Sequence, residues 1–287
     1  MEKTRKIRTV MKSAATIEGA GVHLRRAFGF AEVPSFDPFL LLDDFRATDP
    51  RHYLKGFPWH PHRGIETITY MVDGTVEHGD SMGNKGVIGA GDVQWMTAGS
   101  GVIHQEMPKG DGQGRMGGFQ LWANLPATHK MMDPRYRDIR REQIAEISGK
   151  DGVMIRVICG KVGVTEGPVR DIVIDPEYLD VSLSPGAEFV HPTKLGHTVF
   201  AYVIEGKLHS RAEKNRSFAN GDLILFDDGE RVVLAAQEEA ARFLLISGKP
   251  IREPVAWYGP IVMNTDEELE RAFDEYRNGT FIKHRQA

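Results

Sequence analysis

The sequence predicts an all-β protein: two antiparallel β-barrels of one fold packed together, with a short C-terminal helix. Three features carry that prediction. Glycine and proline, 31 and 15 of the 287 residues, cut the chain into short pieces. Between them lie strand-length runs rich in Val, Ile, Thr and aromatic residues. One strand–hairpin–strand pattern also occurs twice.

The first copy runs from Glu66 through the turn Asp73-Gly74 to His78, then through Gly91-Asp92 to Met96. The second runs from Thr198 through Glu205-Gly206 to His209, then through Gly221-Asp222 to Phe226. Each reads as a strand, an acidic-Gly hairpin, a strand, a Gly-Asp reversal and a strand. Two copies imply two barrels with a boundary between residues 125 and 155, placed here as domains 1–135 and 136–287. Runs such as 153–158 and 243–246 supply further strands of the second barrel. Near the C-terminus Thr265-Asp266-Glu267-Glu268 has capping-box spacing. Leu269, Ala272, Phe273 and Tyr276 follow as the apolar stripe of a helix, and Asn278-Gly279 stops it.

Composition narrows the function. A formal charge of −4 gives no basic excess to draw the chain onto a polyanion, so direct nucleic-acid binding is not expected. The basic cluster from Lys3 to Lys12 reads as a solvated terminal strand. No apolar run marks a secretory signal or a membrane span, and Cys159 is the single cysteine. A reducing, cytoplasmic setting is expected, or a nuclear one in a eukaryote, and the chain is expected to be a monomer. One cysteine permits neither an internal disulfide nor a thiolate-built zinc site, so any metal must be held by His and carboxylate.

Such donors occur in the first copy. His60-Pro61-His62 precedes its first strand, and residues two apart on a strand point to one side. His104-Gln105-Glu106 repeats the spacing after the turn Gly99-Ser100-Gly101. A lone H-x-H is often just two polar residues on an outer face. Two such pairs facing each other across a barrel give three imidazoles and a carboxylate, a set suited to a divalent transition metal with positions left open. Glu66 lies close enough in sequence to count as a further candidate ligand. In the second copy the same alignment meets His191-Pro192-Thr193, Leu234 and Ala236. That barrel is therefore expected to hold no metal, with His191, His197 and His209 as surface or satisfied core histidines.

His60-x-His62-x3-Glu66 followed by Gly74 approximates the first cupin signature, and Gly91-Asp92 running to His104 an altered second one. The stretches His60–Thr67, Gln94–Gly99, His104–Met107 and Tyr258–Thr265 more specifically resemble the pirin family, over nearly the whole chain. The resemblance implies a bicupin of double-stranded β-helix barrels with one iron-type metal in the first. The implied ligands are His60, His62, His104 and Glu106, with Glu66 beside them as a hydrogen-bonding support. Fe(II) is the expected ion, although Mn, Co, Ni or Cu suit the same donors. The implied activity is that of a quercetin 2,3-dioxygenase, an oxidoreductase that opens a flavonol with O2 and releases CO. Glu106 is then both ligand and proton acceptor for the flavonol hydroxyl. Phe57, Trp59, Trp95, Met96 and Met107 are expected as apolar walls, with Gln105 and Ser100 as hydrogen-bonding groups. The alternative is a metal-dependent, protein-binding regulator or redox sensor, a transcriptional or metabolic-enzyme coregulator without turnover.

Overall fold

Each copy of the repeat folds into the same pair of antiparallel sheets, one of seven strands and one of four. The computed structural model describes residues 3–210, 213 and 216–283. It divides into two compact units, residues 15–141 with 251–287 and residues 1–14 with 142–250.

In the histidine-bearing unit the seven-stranded sheet runs Arg135–Ile139, Val93–Thr97, Ile65–Asp73, Gly117–Asn124, Phe39–Asp44, Val22–Phe28, Ala14–Glu18. Its four-stranded sheet runs Phe57–His62, Val102–Lys109, Thr75–Asp80, Lys85–Gly89. The other unit has the same layout. Its larger sheet runs Ile7–Lys12, Asp222–Phe226, Thr198–Glu205, Ala241–Gly248, Glu177–Leu183, Val153–Cys159, Ala145–Ser148. The matched hairpins have one cause. Gly74 and Gly206 sit at φ +68° and +65°, and a Cβ there would lie 2.6 Å from Lys109 O and 1.9 Å from Ala240 O. Only glycine serves at both turns.

Strand pairing sets a partition different from a cut near residue 135. Ile7–Lys12 pairs with Asp222–Phe226, so the start of the chain completes the sheet of the second repeat. Arg135–Ile139 pairs with Val93–Thr97 and so belongs to the first. The C-terminal helix Asp266–Arg277 also belongs with the histidine-bearing unit. Thr265 Oγ1 accepts from Glu268 N and Glu268 Oε2 from Thr265 N, both at 3.2 Å, closing the expected capping box. Ala272 is buried against Ile261, Met263 and Phe281, whereas Tyr276 is more exposed and meets Phe281 edge-on. The buried Arg63 guanidinium fastens the helix, donating to Glu275 Oε2 at 2.7 Å and to Phe281 O at 2.8 Å.

Lys130 makes a second tie. Its Nζ is buried and donates to Asn124 Oδ1 at 2.7 Å and to Gly64 O and Val262 O at 3.0 Å. Burial pulls this amine down to about 7. Among the described residues no helix is long and apolar enough to cross a membrane.

Candidate metal centre

Two neighbouring strands of the smaller sheet bring three imidazoles together. In the register His104 stands opposite His60 and Val102 opposite His62. The two motifs are thus hydrogen-bonded neighbours in one sheet, not facing pairs across a barrel. His60 Nδ1 lies 2.9 Å from Pro58 O and His62 Nδ1 3.0 Å from Pro260 O. A carbonyl can only accept, so each Nδ1 carries its proton and each Nε2 is left bare. Those two Nε2 atoms face each other at 3.1 Å. Neither ring nitrogen of His104 has a hydrogen-bond partner, although the ring is buried.

Among the described residues, His60, His62 and His104 form a group whose ligand atoms lie within 4.8 Å of one another. Burial first, then the neighbouring imidazoles, holds His62 and His104 well below the ordinary histidine range. They stay neutral, the form that binds a metal. Two lone pairs at 3.1 Å with no proton between them are a poor arrangement unless a cation lies between them. The residues present therefore fit a bound metal, and the donor set leaves its identity open.

The Glu106 carboxylate lies outside that group. It faces the same interior as His104, two residues along the strand, with a register shift between them. Thr69 Oγ1, with one proton to donate, stands 3.2 Å from Glu106 Oε1 and 2.7 Å from Gln120 Oε1.

Beside the imidazoles opens a cavity of about 840 Å³, lined by His60, His62 and Glu106 and by apolar residues including Leu41, Phe57, Trp122 and Trp257. The Trp122 ring lies 5.0 Å from that of His62. Of the expected wall residues only Phe57 lines this space. Trp59 alternates with His60 and therefore points outward, half exposed. Gln105 alternates with His104 and Glu106 and lies on that same outer face, where a Cβ on Gly79 would meet both it and Trp59 at 3.8 Å.

Trp95 is turned from the cavity too, donating from Nε1 to Glu66 Oε2 at 2.7 Å. Thr97 Oγ1 donates to Glu66 Oε1 at 2.8 Å. Glu66 therefore supports an indole and a hydroxyl, not an imidazole. Strand alternation explains this, because Thr69, three residues on, is the one that faces the cavity. Burial raises the Glu66 carboxyl against these hydrogen bonds. Met96 and Ser100 are buried without lining the cavity, and Met107 does not line it.

Other residues of the site carry no motif. Thr69, Gln120, Asp43 and Arg26 face the cavity, and the Pro260 carbonyl fixes the His62 tautomer from far along the chain. His78 packs its ring 5.3 Å from that of His104, with Nε2 3.3 Å from Asp80 Oδ2. Alternation from His60 and His104 would have revealed which neighbours point outward. The cross-strand partners lie on segments that no local pattern connects.

In the other unit, His191 stands opposite Val232 as His62 stands opposite Val102. Phe189 and Leu234 hold the places of His60 and His104, two residues from the alignment that set His191 on His60. Both lie in a packed apolar core with Ala236. His191 Nε2 pairs with Glu177 Oε2 at 3.0 Å.

Comparison with known proteins agrees with this layout. Family models described as "Pirin" and "Pirin C-terminal cupin domain" match residues 21–123 and 178–282. The chain belongs to the pirin family. A pirin-like protein of Caulobacter vibrioides is 42% identical over 96% of this chain and 99% of its own. Human pirin is 37% identical over 97% of this chain and 94% of its own. A crystal structure described as quercetin 2,3-dioxygenase from Acinetobacter baumannii superposes with a TM-score of 0.89 at 31% identity, covering 97% of this chain and 98% of that one.

Proposed function

We propose that this pirin is a metal-dependent dioxygenase of the quercetin 2,3-dioxygenase type, acting on flat phenolic substrates of the flavonol class. The observation that carries the reading is the pair of bare, facing Nε2 atoms beside the unpartnered His104, at the edge of a largely apolar cavity. His60, His62 and His104 would hold the ion, with Glu106 as a carboxylate lining the same cavity. The bound metal would supply Lewis acidity and redox capacity for the reaction with O2.

The protein's own groups do the rest. Trp122, Leu41 and Phe57 present apolar surface to aromatic rings and displace water from them. Glu106 Oε1 accepts the proton of the flavonol hydroxyl. Thr69 donates to that oxygen when the Gln120 amide is turned so that its N–H donates to Thr69. The carboxylate is thereby held in place for the transfer. Pro58 and Pro260 keep both Nδ1 protons in place, so His60 and His62 present only Nε2.

The test is anaerobic loading with Fe(II), metal analysis, then addition of quercetin and O2. Equal consumption of flavonol and O2 with release of CO is expected. Full iron occupancy with no flavonol consumed would refute the enzyme reading and favour a metal-dependent regulator that binds a protein partner.

A further inference from the structure

The cavity floor carries a feature that neither the metal nor the proton transfer requires. Thr69 stands in register with Gln120, Gln120 with Asp43, and Asp43 with Arg26, on four successive strands. All four residues line the cavity. At ~4.8 Å per strand the row runs ~14 Å from Thr69 to Arg26. Thr69 at one end meets Glu106, and at the other Arg26 clamps Asp43 with two bonds of 2.8 and 2.7 Å. Each Asp43 oxygen accepts one of these bonds and keeps acceptor capacity for another donor.

The second unit supplies an internal control. Counting from the matched hairpin glycines, the same row there is Ala201, Leu245, Leu179 and Val157, in the same register. All four are buried in an apolar core. The barrel therefore closes without a polar row, and a half-buried ion pair such as Arg26–Asp43 is weak support for a fold.

We propose that this row is a recognition strip for the end of the substrate remote from the imidazoles, with Asp43, held by Arg26, accepting a hydrogen bond from a hydroxyl there. This rests on the flavonol reading above and narrows it. The preferred ligand is a flat molecule of several rings with a hydroxyl at each end, because a single ring cannot reach from Glu106 to Asp43. Arg26 is a positioning residue that orients the Asp43 carboxylate through its two hydrogen bonds.

The test is binding to the iron-loaded protein without O2, read by quenching of the cavity tryptophans. Quercetin is compared with 3-hydroxyflavone, which lacks every hydroxyl but the one at position 3. The wild type should prefer quercetin by about tenfold or more, the discrimination expected from a hydrogen bond to a charged group. Asp43→Asn should shrink that ratio, chiefly by weakening quercetin. The paired change Arg26→Val with Asp43→Leu copies the other barrel, leaves only the partly exposed Glu18 without its partner, and should bring the ratio near one. Equal binding of the two flavonols by the wild type, or an undiminished ratio in folded variants, would overturn the recognition strip alone. If neither flavonol binds, the flavonol reading falls and the strip falls with it.

Discussion

Replacing Lys130 with Met tests how the C-terminal segment is held over the imidazoles. The substitution keeps most of the apolar stem and removes a nitrogen that donates to Gly64 O, Asn124 Oδ1 and Val262 O. Burial lowers this amine from 10.5 to about 7. Between those values the unfolded chain binds a proton that the folded chain has released, so folding stability rises with pH across the window. The drop from 10.5 to about 7 corresponds to ~5 kcal/mol at ~1.36 kcal/mol per pH unit. The neutral amine has two protons to donate. It can still serve Asn124 and Val262, because Gly64 O also accepts from Leu125 N. Urea unfolding of wild type and Lys130→Met, from about pH 6 to about pH 10, measures the difference directly. The wild type should gain ~4–5 kcal/mol over the variant across that range. Near neutral pH the variant should be weaker by ~2–4 kcal/mol, as expected when buried oxygens lose their donors. Parallel pH curves would refute the reasoning and mean that three acceptors keep the ammonium charged.

His104→Leu, which copies the residue at that place in the other unit, should cut Fe(II) uptake to below about a tenth of wild type. The fold should persist, as shown by an unchanged circular dichroism spectrum. Glu106→Gln should keep the metal and lower flavonol turnover about a hundredfold or more, the usual size of a lost general base. Retention of both would remove Glu106 from the chemistry. Burial raises the Glu66 carboxyl, so its stability contribution is lost as pH rises through the folded-state value. Glu66→Gln should therefore remove this fall in stability with rising pH and leave metal content unchanged. A fall in metal content would put Glu66 back beside the imidazoles.

Much of the site was legible because metal ligands need fixed spacing. Among eleven histidines, His60 and His62 stand out at i, i+2 and His104 at i, i+2 with Glu106, and the hairpin glycines betray the duplication. The expectation that Trp59 and Gln105 meet the substrate failed because strand alternation from His60 and His104 turns both outward. Glu66 misleads because sequence proximity to His62 says nothing about which face of the next strand it occupies. The row from Thr69 to Arg26 was hidden for a different reason. Its members lie on four separate strands, and register across a sheet depends on turns and bulges such as the shift between Arg26 and Phe28. The Pro260 carbonyl was beyond reach as well, since a backbone oxygen has no signature in an alphabet of side chains.

The crossed edge strands have a practical consequence for anyone who would divide this protein. A genetic cut between the repeats would strip Ile7–Lys12 from one sheet, and from the other unit the helix and the Pro260 carbonyl that steers His62. Each fragment would have unpaired backbone where its missing segment had been, an invitation to aggregate. A faithful excision of the histidine-bearing half would instead splice residues 15–141 to 251–287, with a new linker replacing everything between. The tandem copies in the gene are thus interleaved in the folded chain, and neither can be inherited, expressed or engineered as a simple half.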